Sequence, residues 1–111
     1  MNTDTKNIKK LVIDQSLELD CGKTIKDFSL AYETYGILNK NKSNAILVFH
    51  ALTGDQFATG INPITKREGW WTAVVGPNKA IDTNKYFVIC ANVLGGCMGS
   101  YGPTEINPKN N

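Results

Sequence analysis

Two continuous apolar runs constrain this chain most. Residues 45–49 read Ala-Ile-Leu-Val-Phe, and residues 86–93 read Tyr-Phe-Val-Ile-Cys-Ala-Asn-Val. Neither alternates between apolar and polar. A strand with one wet face shows such alternation; a strand covered on both faces does not. Two strands of this kind, separated by a long crossover, predict a parallel sheet in an α/β fold.

The segment before them reads differently. Residues 8–13 and 16–20 suit short extended pieces, Asp20-Cys21-Gly22-Lys23 is a turn signal, and residues 25–35 alternate through Phe28, Leu30, Tyr32 and Thr34. These predict an antiparallel hairpin at the start of the sheet. The crossover, residues 53–85, is rich in Gly, Pro and Asn, with one short helix expected near residues 69–75. Residues 95–111 carry Gly95, Gly96, Gly99, Gly102, Pro103 and Pro108 and read as loop, and the polar residues 1–7 as disordered. Residues 1–111 fit one domain. A chain ending in a loop just after a buried parallel strand, without two clear helices, is expected to be the front of a longer domain with an incomplete sheet.

Composition excludes several classes. The 12 basic and 10 acidic side chains leave a net charge of +2, and the lysines are scattered among turns, so no nucleic-acid partner is expected. No stretch reaches the roughly 18 apolar residues of a membrane span, and the start has no apolar signal core. A cytoplasmic protein is expected. Cys21, Cys90 and Cys97 are odd in number and lack C-x-x-C spacing, which favours free thiols. One histidine and no cysteine cluster argue against a metal site.

The chemistry sits where the first apolar run ends, in His50-Ala51-Leu52-Thr53-Gly54. When an acyl group is transferred, negative charge develops on the former carbonyl oxygen, and backbone N–H groups aimed at it stabilise the transition state. A loop leaving a central strand is placed to aim one. The alternative is a plain strand end with a hydrogen-bonded histidine. No G-x-S-x-G nucleophile elbow accompanies the loop. Gly95-Gly96-Cys97-Met98-Gly99 fits G-x-C-x-G, but an elbow needs a helix directly after the nucleophile, and the glycines and prolines that follow disfavour one. Gly99-Ser100-Tyr101-Gly102 lacks the leading glycine. The Gly95–Gly99 stretch also lacks the ending of a P-loop and the spacing of a dinucleotide fingerprint. Trp70-Trp71 is expected to pack rather than to form a binding platform.

Tyr32-Glu33-Thr34-Tyr35-Gly36, Asn44-Ala45-Ile46-Leu47-Val48 leading into His50-Ala51-Leu52-Thr53-Gly54-Asp55, Gly69-Trp70-Trp71, Gly76-Pro77, Ile81-Asp82-Thr83, Asn92-Val93-Leu94-Gly95-Gly96-Cys97 and Ile106-Asn107-Pro108 follow one another in an order that resembles the homoserine O-acetyltransferases of the α/β-hydrolase superfamily. The resemblance spans about residues 25–108 and implies the N-terminal part of an α/β-hydrolase fold. It implies acetyl transfer from acetyl-CoA to the hydroxyl of L-homoserine through an acyl-serine, in methionine biosynthesis, with acetyl-CoA as co-substrate and no cofactor. Leu52 matches the position whose backbone N–H forms half of the oxyanion hole; Ala51, Thr53 and Gly54 match the loop beside the substrate. Residues 92–96 match a loop near the site entrance. The family's nucleophilic serine, its aspartate and histidine partners and its substrate-gripping arginine lie downstream, so the isolated chain is expected to be inactive and to suit a complementary C-terminal half. The resemblance also suggests a homodimer. Alternatives are a related serine acyltransferase, an ester hydrolase of the same fold, and a non-catalytic remnant.

Overall fold

In the computed structural model, residues 8–103 and 105–106 are described. A four-stranded sheet is built from β1 (Lys9–Ile13), β4 (Phe28–Tyr35), β8 (Phe87–Ala91) and β5 (Ala45–Val48), in the spatial order β1-β4-β8-β5. Short ladders add β2 (Leu17–Glu18) with β3 (Thr24–Ile25), and β6 (Val75–Gly76) with β7 (Ile81–Asp82). The expected disorder of residues 1–7 and the loop at 104 and 107–111 lie outside the described residues; the rest of the tail is irregular, as expected.

The two apolar runs form neighbouring parallel strands. Ala45 stands level with Phe87 and Val48 with Cys90. Matched residues of a parallel pair share a face, so Ile46, Val48, Val88 and Cys90 point one way and Leu47, Phe87, Ile89 and Ala91 the other. The first group meets Ala58 and Val75 in the core, with Tyr35, Trp71 and Ile81 packed around it.

The expectation that both faces of the first run are covered is corrected. Leu47 is 56% exposed and Phe49 79%. Among the described residues the crossover packs on one face only, and no helix lies on the other. That open face carries an apolar groove of about 350 Å³ between Phe28, Leu30, Leu47, Phe49, Val93 and Leu94. β5 is also an edge strand, paired on one side by β8.

The hairpin forms as expected, with one interruption. β1 runs antiparallel to β4 from Lys9 opposite Tyr32 to Ile13 opposite Phe28. Between them the β2–β3 ladder closes over a turn in which the Gly22 N–H donates to the Leu19 carbonyl (2.8 Å) and the Leu19 N–H to the Lys23 carbonyl (2.7 Å). The alternating stretch is not one strand. Asp27 adopts φ of +51°, a left-handed conformation that short acidic side chains tolerate, and it splits β3 from β4.

The helix expected near residues 69–75 is absent. One turn forms, with the Trp71 carbonyl accepting from Val74 and Val75 N–H (2.9 and 3.0 Å). It does not extend, because Val75 and Gly76 leave it to pair with Ile81 and Asp82, and Pro77 holds the preceding residue out of helical geometry. Past this turn, the Asp82 carboxylate accepts from the Asn78 and Asn84 N–H groups, which lowers its pKa, and the Asn78 bond is the largest cause.

Candidate active site

β5 delivers the chain into a tight turn. The Gly54 N–H donates to the Ala51 carbonyl (2.8 Å), so Leu52 and Thr53 occupy the tip. The Leu52 side chain is 97% exposed. Among the described residues nothing accepts a hydrogen bond from its backbone N–H. Gly54 sits in a tight place: a Cβ there would lie 3.0 Å from the His50 Cβ and 3.2 Å from the Ala51 oxygen, so a larger residue would have to displace one of them. Thr53 and Gly54 also border a groove of about 220 Å³ shared with Asp55, Arg67, Glu68 and Trp70.

His50 is fully engaged. Its Nε2 lies 3.1 Å from the Val93 N–H. That N–H can only donate, so Nε2 is the acceptor and the proton resides on Nδ1, which donates to the Ala51 carbonyl at 2.7 Å. The side-chain amide of Asn92 approaches the same Nε2 at 3.4 Å. The alternative of a hydrogen-bonded histidine at a strand end is therefore what His50 shows, and it holds no free nitrogen for a base.

Both nucleophile decoys fail on geometry. Ser100 is buried, and its Oγ donates to the Asn92 carbonyl (2.6 Å) while accepting from the Ala31 N–H (2.9 Å). Cys97 is exposed in a loop that does not become a helix. Trp70 and Trp71 stack at 5.5 Å; the Trp70 indole N–H donates to the Asp55 carbonyl (2.8 Å). The pair packs.

Three buried polar residues hold the loops here, and of them only Gln56 had no sequence signal. Gln56 is completely buried, with its Nε2 donating to the Met98 carbonyl (2.9 Å) and no partner for its Oε1 among the described residues. Asn92 is equally deep and accepts the Met98 N–H at Oδ1 (3.2 Å). Ser100 is the third. Gln56 ties the loop after β5 to the loop after β8, Asn92 closes the latter on itself, and Ser100 joins it to β4.

Cys90 completes the buried set. Burial pushes its thiol up to about 11, and the nearby Asp55 charge adds to the shift; burial likewise raises the Tyr35 phenol to about 12. A disulfide reagent at pH 8 is expected to modify Cys21 and Cys97 rapidly and Cys90 only on unfolding. Rapid modification of all three thiols in the native chain would refute this placement. Raised pKa values stabilise the fold below the unfolded values, near 9 and 10. That stability is lost as pH rises through the folded values, so the melting temperature is expected to fall above about pH 9.

No family model matches the chain. It is 74% identical over 105 residues to a homoserine O-acetyltransferase of Pelagibacter ubique, covering 95% of this chain and 28% of that protein. It is 58% identical over 103 residues to one from Methanococcus vannielii, covering 93% and 21%. The chain thus spans roughly a quarter of the length of these relatives. Among solved structures, a homoserine O-acetyltransferase from Bacillus anthracis superposes with a TM-score of 0.81 at 37% identity, over 94% of this chain and 30% of that one. An acetylester hydrolase from Corynebacterium glutamicum gives 0.69 at 32%, over 92% and 26%.

Proposed function

We propose, from the premise that this chain corresponds to a segment of the homoserine O-acetyltransferases and shares their α/β-hydrolase fold, that it supplies one wall and half of the oxyanion hole of such an enzyme. The reaction is acetyl transfer from acetyl-CoA to the L-homoserine hydroxyl, a step of methionine biosynthesis in the cytoplasm. The observation that carries the role is the Leu52 N–H, unengaged among the described residues at the tip of the turn leaving β5.

The chemistry follows from that peptide. As a nucleophile adds to the acetyl thioester, the carbonyl oxygen becomes negative, and the Leu52 N–H donates to it without first giving up an internal partner. Ala51, Thr53 and Gly54 shape the surface beside the acyl and amino-acid groups, with Thr53 and Gly54 on the groove they share with Asp55 and Arg67. The nucleophile, its base and its acid come from sequence outside this chain, since Ser100 and His50 are committed to structural bonds and Cys97 has no helix behind it. The unpaired edge of β5 and the apolar groove beside it receive that complementary sequence. The complete enzyme we take, on the resemblance, as a homodimer.

Hydrolysis of an acetyl ester uses the same hole, and the Corynebacterium glutamicum neighbour is named for it. The two activities separate by acceptor. Exchange the corresponding segment of the Pelagibacter relative for this chain and follow thiol release from acetyl-CoA. Release that requires homoserine is expected; release independent of homoserine, with ready hydrolysis of simple acetyl esters, would assign the segment to an esterase.

A further inference from the structure

We propose that His50 is a positioning residue that aims the Leu52 N–H. The proposal deepens the oxyanion reading and rests on it for its catalytic consequence. The peptide joining Ala51 to Leu52 is a rigid plane, in which the C=O of one residue and the N–H of the next point in opposite directions. Fixing the Ala51 carbonyl therefore fixes the Leu52 N–H. Two donors converge on that carbonyl: the Gly54 N–H at 2.8 Å and the His50 Nδ1–H at 2.7 Å. The first belongs to the turn itself. The second comes from a side chain anchored elsewhere.

The anchor follows from strand register. β5 and β8 run parallel with Val48 level with Cys90; two residues further, His50 comes level with Asn92. Its Nε2 then accepts from the Val93 N–H (3.1 Å), with the Asn92 amide at 3.4 Å. Asn92 is itself held, because its Oδ1 accepts from the Met98 N–H and the chain at Gly96 passes so close that a Cβ would lie 2.5 Å from that oxygen. A continuous set of contacts runs from the loop after β8, through the imidazole, to the peptide that carries the donor. It works in one tautomer only, with the proton on Nδ1.

The test uses the full chain and three substitutions. Long-range nitrogen–proton NMR of the wild-type ring is expected to show Nδ1 protonated and Nε2 bare. In His50→Asn the side-chain amide overlies Nδ1, so the Leu52 amide shift stays close to wild type while the Val93 amide exchanges faster, by roughly five- to tenfold for one lost hydrogen bond. In His50→Gln the side-chain oxygen overlies Nε2, so Val93 stays protected and Leu52 shifts. His50→Ala disturbs both. A proton on Nε2 in the wild-type ring overturns the proposal without any variant having to fold. So does a Leu52 amide that is the same in the Asn, Gln and Ala variants.

In the segment-exchanged relative, His50→Ala is expected to lower kcat with little change in KM. The loss is bounded by the roughly hundred- to thousandfold cost of losing an oxyanion donor, and His50→Asn recovers most of it. A rise in KM at constant kcat would overturn the aiming role. Absence of acetyl transfer with wild-type His50 would instead refute the proposed function, and the NMR results would still decide the clamp.

Discussion

Incubated with acetyl-CoA and homoserine, the 111-residue chain will release no thiol above background and will carry no acetyl group. Acyl transfer through a covalent intermediate needs a nucleophile, a base within hydrogen-bond reach and a group that orients the base. Ser100 is buried and gives its proton to the Asn92 carbonyl, which is no base, so its oxygen is neither reachable nor activated. His50 has its lone pair on Val93 and its proton on Ala51. Cys90 is buried, with its pKa pushed up to about 11, so little thiolate exists at neutral pH. Cys97 is exposed, but among the described residues it has neither a hydrogen-bonded base nor a helix N-terminus to stabilise its thiolate. Where a complete triad acts, losing it costs roughly a millionfold in kcat; the lone chain should fall short of the segment-exchanged relative on that scale. The measurement is thiol release together with intact-protein mass. Repeated turnover with acetyl on Cys97 or Ser100 would overturn this assignment and reinstate one of the decoys.

How far the sequence reached depends on the range of the forces involved. The parallel pair β5 and β8 was legible because both runs are apolar at nearly every position, whichever faces end up covered. The first hairpin was legible because Cys21-Gly22 marks its turn locally. The break at Asp27 was not, since the alternation of apolar residues passes through it without a fault. The one-sided covering of β5 was also hidden. An apolar run reports that a surface wants to be buried; Leu47 and Phe49 carry that preference while standing exposed. At the site, the strand-to-loop transition announced the turn, but not what holds it. The bonds from His50 to Val93 and from Ala31 to Ser100 join residues 43 and 69 positions apart. No local spacing encodes such pairs: Asn92 read as part of a strand run and Ser100 as a failed elbow until the fold bonded one to the other.

Deleting the Leu52 N–H in a completed enzyme is expected to lower kcat by roughly a hundred- to a thousandfold, the usual cost of losing one oxyanion donor. The side chain should matter little. It is 97% exposed in the structure of this chain, and Leu52→Ala keeps the backbone donor, so that variant is expected to stay close to wild type. Leu52→Pro removes the N–H, but it also fixes φ at position 52 and restricts Ala51, so its loss mixes a missing donor with a displaced loop. An ester in place of the Ala51–Leu52 amide is the sharper probe, since it deletes the N–H and keeps the path of the chain. It has one side effect. The Ala51 carbonyl becomes an ester carbonyl and accepts more weakly from His50 and Gly54, so the clamp loosens too. An ester one peptide further on, at Thr53, controls for the ester substitution itself, and His50→Ala, which loosens the clamp but keeps the Leu52 N–H, controls for the side effect. A loss at 52 well above that of both the Thr53 ester and His50→Ala places the oxyanion donor on Leu52. Equal activity in the two esters, near that of the all-amide protein, would remove Leu52 from the reaction and leave the turn after β5 as the end of a strand.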